Sequence, residues 1–181
     1  MKTIKVVVLG DNSIGKTWLV TTFITGKNPG GYTPTLFDNL GKRVEFKKKV
    51  YMVSVWDTAG NDEFTRMRSL SFIQADVFLL CYSMNNVRSF NSIQKWLDGL
   101  KDFECPIILC GTKCDLKDEE IIDPDVADEI ATKNGLYAHI ETSSVDYINV
   151  NAAFDKAIEA VVNPKNGRNG YISCCGLFTC C

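Results

Sequence analysis

An α/β fold, with a mainly parallel six-stranded sheet and helices on both faces, is predicted by three observations. Short apolar runs rich in branched residues alternate along the chain with segments of helical spacing. One glycine-rich loop, Gly10-Asp11-Asn12-Ser13-Ile14-Gly15-Lys16-Thr17, lies between the first such run and the first such segment. Later polar motifs, Asp57-Thr58-Ala59-Gly60 and Thr112-Lys113-Cys114-Asp115, each follow directly on an apolar run, as loops at the carboxyl edge of a parallel sheet do.

The elements follow in order. Residues 4–9 form a buried strand and 18–24 a helix that ends near Gly26. Residues 27–39, broken by Pro29, Gly30, Gly31 and Pro34, are predicted to be a loop, long enough to expect a function for it. Strands are expected at 43–47 and 50–56, joined by a basic turn at Lys48-Lys49, and a short helix at 64–72. A strand at 77–82 precedes one amphipathic helix at 87–100, and a strand at 107–110 follows. The spacing predicts a helix over 124–134, with Pro124 in its first turn and Gly135 past its end. A last strand over 137–140 and a last helix over Val150–Val162 complete the domain, placed at 1–162. Residues 163–181 are predicted to be a flexible tail. There is no internal repeat and no second domain.

Composition narrows the class. At 181 residues, 45% hydrophobic and 23% charged, the chain suits one soluble domain with a sizeable core. A net charge of -2 argues against a nucleic-acid binder held by bulk positive charge. No apolar run is long enough to span a bilayer and no signal segment opens the chain, so a cytoplasmic protein is expected. Cys81, Cys105, Cys110 and Cys114 are scattered and Cys174, Cys175, Cys180 and Cys181 crowd the end, which is no disulfide framework and fits a reducing compartment.

The glycine loop matches G-x-x-x-x-G-K-[ST], in which main-chain N–H groups and a helix N-terminus cradle phosphate. Lys16 would reach the outer phosphates and Thr17 would offer its hydroxyl to Mg2+. Asp57, directly after a buried strand, can hold Mg2+ through water; by itself it could equally cap a turn. Gly60 lets a main-chain N–H approach a terminal phosphate. Asp115 could accept two N–H bonds from a guanine edge, a pattern adenine does not supply; in isolation Thr112 to Asp115 is simply a polar turn. His139, the single histidine, is expected to be structural, and Asp118-Glu119-Glu120 a solvated loop. Trp56 is expected in the core or on a contact surface, and Trp18 near enough to crowd a nucleotide.

Taken with Tyr32-Thr33-Pro34-Thr35 and Glu141-Thr142-Ser143-Ser144, these ordered motifs resemble a small GTPase of the Ras superfamily, a P-loop NTPase fold, over residues 1–162. Within it, residues 32–39 and Arg66-Met67-Arg68-Ser69-Leu70-Ser71-Phe72 resemble the Rho/Rac branch, as does Thr112 before Lys113. The resemblance implies GTP and GDP as ligands with Mg2+. Asn12, Ser13, Ile14, Gly15, Lys16, Thr17 and Trp18 would line the phosphate side, with Asn28, Tyr32, Thr35, Asp57 and Gly60. Thr17, Thr35 and Asp57 would serve Mg2+. Lys16, Thr35 and Asn61 would act in hydrolysis. Asp115 would read guanine, Lys113 would lie along base and ribose after Thr112, Ser143 would brace Asp115, and the Ser144 amide would meet the guanine carbonyl. Residues 28–40 and 59–73 would be switches that bind effectors. Exchange factors and activating proteins are implied as regulators of a monomer, with actin or vesicle traffic as the field of action.

Departures from the pattern carry expectations of their own. Asn12 replaces a glycine and Asn61 the water-orienting glutamine, which predicts slow hydrolysis and a weak response to activating proteins. Asn28 replaces a phenylalanine packed on guanine, which predicts faster exchange. The helical insert of Rho relatives is missing, because only 116–137 separate Asp115 from the last strand. The tail has no C-terminal prenyl box, but its terminal Cys180-Cys181 resembles the doubly geranylgeranylated end of Rab-type GTPases, and Cys174 and Cys175 could take palmitate. This would place the protein on the cytosolic face of a plasma or internal membrane. A GTP-locked module that barely hydrolyses is the alternative to a cycling switch. A P-loop small-molecule kinase shares only the phosphate loop and would need an arginine-rich lid that does not follow.

Overall fold

The computed structural model describes residues 1–30, 37–60, 70–116 and 121–164. Six strands, β1 (Lys2–Leu9), β2 (Phe37–Phe46), β3 (Lys49–Thr58), β4 (Val77–Ser83), β5 (Ile107–Thr112) and β6 (Ala138–Glu141), form one sheet in the order β2-β3-β1-β4-β5-β6. Only β2 and β3 pair antiparallel; every other neighbouring pair is parallel. The described helices are α1 (Lys16–Thr25), α2 (Val87–Asn91), α3 (Ile93–Gly99), α4 (Pro124–Lys133) and α5 (Val150–Val162).

The two-residue period of a strand divides the core. On one face Ile4, Val6 and Val8 of β1 join Val53, Val55, Leu79 and Ile108 under α1 and α5. There Phe23 and Phe154 stack with ring centroids 3.7 Å apart. On the other face Val7 and Leu9 join Phe78, Leu80 and Leu109 under α2, α3 and α4 through Phe90, Ile93, Trp96, Leu97, Ala127 and Ala131. β1 is therefore buried on both sides from Val6 to Leu9, which is why that stretch is continuously apolar. The predicted α/β architecture with helices on both faces is the observed one.

Most element ends differ from the sequence expectation by one or two residues, and three differences bear on the fold. β2 starts at Phe37, inside the segment predicted to be loop, because it pairs with β3 along its whole length, from Phe37 opposite Thr58 to Phe46 opposite Lys49. The hairpin turn falls at Lys47-Lys48, one residue earlier than expected. Both residues have positive φ, 48° and 63°, as a twist-matching two-residue turn needs. Lys47 is steadied there by Glu159 of α5, at 3.1 Å. The helix predicted over 87–100 is two short helices that meet at Ser92, whose N–H and hydroxyl both donate to the Arg88 carbonyl at 3.0 Å. By contrast α4 is bounded as expected: Asp123 caps it by accepting from the Asp125 N–H, Pro124 opens it, and Gly135 takes φ +63° beyond its end. Residues 70–72 close a helical turn; the rest of the helix predicted over 64–72 lies outside the described residues.

Candidate functional site

Five strands end at one edge of the sheet, and hydrogen bonds between their loops gather them into one site. The loop after β1 carries Gly10 to Gly15. Gly10 has φ +136°, and a Cβ there would stand 2.2 Å from the Cys81 carbonyl oxygen of β4, so no other residue fits. Ile14 is buried and anchors the loop in the core. Gly15 ends the loop in the left-handed region at the head of α1, with no side-chain cap and no acidic residue in the first turn. The head of α1 therefore carries no side-chain cap, and no first-turn carboxylate offsets its dipole. Lys16 is buried and crosses back over the loop, donating to the Gly10 carbonyl at 2.9 Å and the Asp11 carbonyl at 2.6 Å. Asn12 and Ser13 are exposed on the outer side.

β3 delivers the next groups. Thr58 donates to the Val8 carbonyl at 2.8 Å, locking the end of β3 beside the loop. Asp57, almost wholly buried, accepts from the Thr17 hydroxyl at 2.6 Å. The two described residues assigned to Mg2+ therefore meet, one from α1 and one from β3. Gly60 packs on the loop: a Cβ would lie 2.4 Å from the Asp11 carbonyl carbon and 2.5 Å from the Asn12 nitrogen. Among the described residues no group of three or more His, Cys, Asp or Glu could cage a metal. A divalent ion here would take its other ligands from phosphate and water, the usual setting of Mg2+.

β5 and β6 build the far side. The Thr112 hydroxyl lies against the carbonyls of Ile14 and Tyr82, at 2.9 Å for the latter, so it joins β4, β5 and the loop. Lys113 donates to the Ser13 carbonyl at 2.9 Å. Its ammonium pKa is lowered by burial, against an opposing pull from Asp115. The Cys114 N–H donates to the Thr142 carbonyl at 3.1 Å, tying this loop to the turn after β6. Asp115 then presents a buried carboxylate oxygen, Oδ1, with no hydrogen-bond partner. Burying such an atom is costly unless a donor arrives. The orphaned oxygen and the uncapped helix N-terminus both fit a ligand with N–H donors at one end and anionic oxygens at the other.

Several sequence expectations change here. Ser143 does not brace Asp115: its hydroxyl oxygen accepts from the Asp146 N–H at 3.0 Å and closes its own turn. Asn28 does not face the site with its side chain, whose oxygen accepts from the Gly30 N–H at 3.3 Å; its main-chain N–H donates to the Tyr147 hydroxyl at 3.0 Å. Trp18 is half-buried on α1, and Ser144 is half-buried beside Ser143. His139 is structural as expected, with Nδ1 2.9 Å from Asp128 and Nε2 2.9 Å from the Tyr82 hydroxyl. Trp56 is half-buried with Lys5 3.7 Å from its ring centroid. Cys81, Cys105, Cys110 and Cys114 are all free thiols. Tyr32, Thr35, Asn61, Asp118 to Glu120 and the four tail cysteines lie outside the described residues.

One contact had no sequence signal. Trp96 of α3 donates its indole N–H to Asp11 of the glycine loop at 2.8 Å. It reads in sequence as one apolar position of an amphipathic helix; only the packing of α3 against β1 and β4 aims its N–H at the loop. Trp96→Phe is expected to cost about 1–2 kcal/mol. For a chain of this size that lowers the unfolding midpoint by about 2–8 °C in a thermal scan. Asp11→Asn, which keeps an acceptor, should cost less.

A family model described as the Ras family matches residues 5–163, nearly the whole described chain. The chain belongs to the Ras family. The Ras-like GTP-binding protein RHO1 of Entamoeba histolytica is 36% identical to it over 169 residues, 91% of this chain and 79% of that protein. The GTP-binding protein RHO4 of Saccharomyces cerevisiae is 33% identical over 168 residues, 88% of this chain and 58% of that protein. This Ras-family chain is thus a Rho-like small GTP-binding protein, and the general activity of its family is the binding and hydrolysis of GTP. Rho-like GTPases in general bind effectors and regulators.

Proposed function

We propose that this protein is a membrane-anchored signalling switch that binds GTP or GDP with Mg2+ and recruits effectors when GTP-bound, hydrolysing GTP slowly. The observation that carries it is the convergence, at one sheet edge, of three features. Lys16 is buried at an uncapped helix N-terminus, Thr17 and Asp57 meet at 2.6 Å, and Asp115 Oδ1 is buried with no partner. Phosphate would sit at the glycine loop and the head of α1, where main-chain N–H groups and Lys16 supply positive charge. Thr17 and Asp57, with Thr35, would hold Mg2+, which when bound offsets phosphate charge. Asp115 would accept from guanine, with Lys113 and the Ser144 amide beside the base. Residues 1–162 would be the switching domain and 163–181 a tail lipidated at Cys174, Cys175, Cys180 and Cys181. Two lipids would suffice for stable anchoring on the cytosolic face of a membrane. Residues 28–40 and 59–73 would carry effectors, exchange factors and activating proteins, with actin or vesicle traffic downstream.

A second reading is favoured by Asn12 and Asn61: a GTP-locked module controlled by abundance or lipidation. It shares the same binding site, so one experiment tests the core of both. A fluorescent GDP analogue should bind the purified chain saturably with Mg2+. GDP and GTP should displace it and ADP and ATP should not, and EDTA should speed its release. Equal displacement by adenine nucleotides, or indifference to EDTA, would remove the proposed roles of Asp115 or of Thr17 and Asp57 respectively.

A further inference from the structure

The turn between β6 and α5 is tightly laced. The Ser143 N–H donates to the Ile148 carbonyl at 3.0 Å, the Asp146 N–H to the Ser143 hydroxyl at 3.0 Å, and the Asn149 side chain to the Glu141 carbonyl at 3.0 Å. At its tip Tyr147 has φ +60°, a conformation that bulky residues rarely adopt. Its ring is half exposed, at 53%. Such a ring gains little from burial, so the packing of a core does not explain its placement. Its hydroxyl does have a partner: it accepts the main-chain N–H of Asn28, 119 residues away in sequence.

The two ends of this contact belong to different walls of one site. The turn carrying Tyr147 is joined to the Asp115 loop by the Cys114–Thr142 hydrogen bond. Asn28 lies just past the Gly26 cap of α1, the helix whose other end carries Lys16 and Thr17. Asn28 contributes only its N–H, because its own side chain turns back to Gly30. The side-chain contribution to this contact is therefore that of Tyr147.

We propose that Tyr147 is a positioning residue for the nucleotide. Its hydroxyl holds residues 26–30 against the base-side turn, closing the rim around Asp115 and slowing the release of a guanine nucleotide. The inference rests on the nucleotide reading above and adds a latch to it. The latch also offsets the opening expected from having Asn28 in place of a phenylalanine. Because the donor is main chain, the latch depends on the tyrosine hydroxyl and not on the side chain at position 28.

The test uses the full chain loaded with a fluorescent GDP analogue and Mg2+, chased with excess GDP. Tyr147→Phe, which removes only the hydroxyl, is expected to raise the off-rate about threefold to tenfold, the range of one modest hydrogen bond. Tyr147→Ala should raise it further. Single-turnover hydrolysis of GTP already bound should not follow the off-rate, because that step lies at the phosphate end. An unchanged off-rate in Tyr147→Phe overturns the latch. So does a hydrolysis rate that falls in step with faster release, since that marks a general loosening of the domain. If Tyr147→Ala does not fold, Tyr147→Phe decides alone. A wild-type chain that takes up no guanine nucleotide overturns the site reading and the latch with it, an outcome distinct from bound nucleotide with unaltered release.

Discussion

Asp115→Ala is expected to lower the affinity for GDP and GTP by about 10²- to 10⁴-fold. The carboxylate would accept two N–H bonds from guanine, each worth about 1.5–3 kcal/mol because the acceptor is charged. Together these come to about 3–6 kcal/mol, at about 1.4 kcal/mol per tenfold. The preference for guanine over adenine should collapse by a similar factor, since the phosphate end is untouched. Stability without nucleotide should hold, because Asp115 Oδ1 has no partner to lose. Removing a buried, unsatisfied oxygen relieves a cost instead of creating one. Competition binding with GDP and ADP, beside thermal unfolding in EDTA, separates the two effects. A variant that still prefers guanine would move base recognition away from this loop.

Single-turnover GTP hydrolysis is expected to be slow in the native protein and to rise about 100-fold in the Asn12→Gly/Asn61→Gln double variant, the scale of a one-ångström error in positioning a reacting group. Of the two positions, Asn12 lies among the described residues, and so does Gly60, the chain neighbour of Asn61. Gly60, the neighbour of Asn61, lies so close to the main chain of residues 11 and 12 that a Cβ would stand 2.5 Å from the Asn12 nitrogen. Gly60 thus packs on the main chain that carries the exposed Asn12, and the two substitutions are expected to be non-additive. Asn61→Gln alone should recover part of the rate. A native chain that already matches the double variant would make both asparagines silent and leave an ordinary cycling switch.

Local chemistry explains which features the sequence revealed. The β1–loop–α1 unit was legible because strand hydrophobicity, the spacing of Gly10, Gly15, Lys16 and Thr17, and helix periodicity all lie within one short stretch. The bounds of α4 followed from Asp123, Pro124 and Gly135, and those of α5 from its apolar period. The start of β2 was not legible, because its strand character comes from pairing with β3 and not from its own glycine-interrupted residues. The division at Ser92 was not legible either: Ser92 keeps helical backbone angles and its bond to the Arg88 carbonyl, so no breaker residue marks it.

The sequence by itself determined the fold class, the family resemblance, and the residue types at the phosphate, metal and base positions. Each of these is written in short motifs whose meaning depends on neighbours in the chain. Tertiary structure alone decided that Thr17 meets Asp57 across 40 residues, that Trp96 reaches Asp11 across 85, and that Tyr147 reaches Asn28 across 119. It also left Asp115 Oδ1 buried and open to a ligand while Ser143 turned to Asp146. Hydrogen bonds act over about 3 Å, so which distant groups come within that reach is fixed only when the sheet has brought its strand ends to one edge.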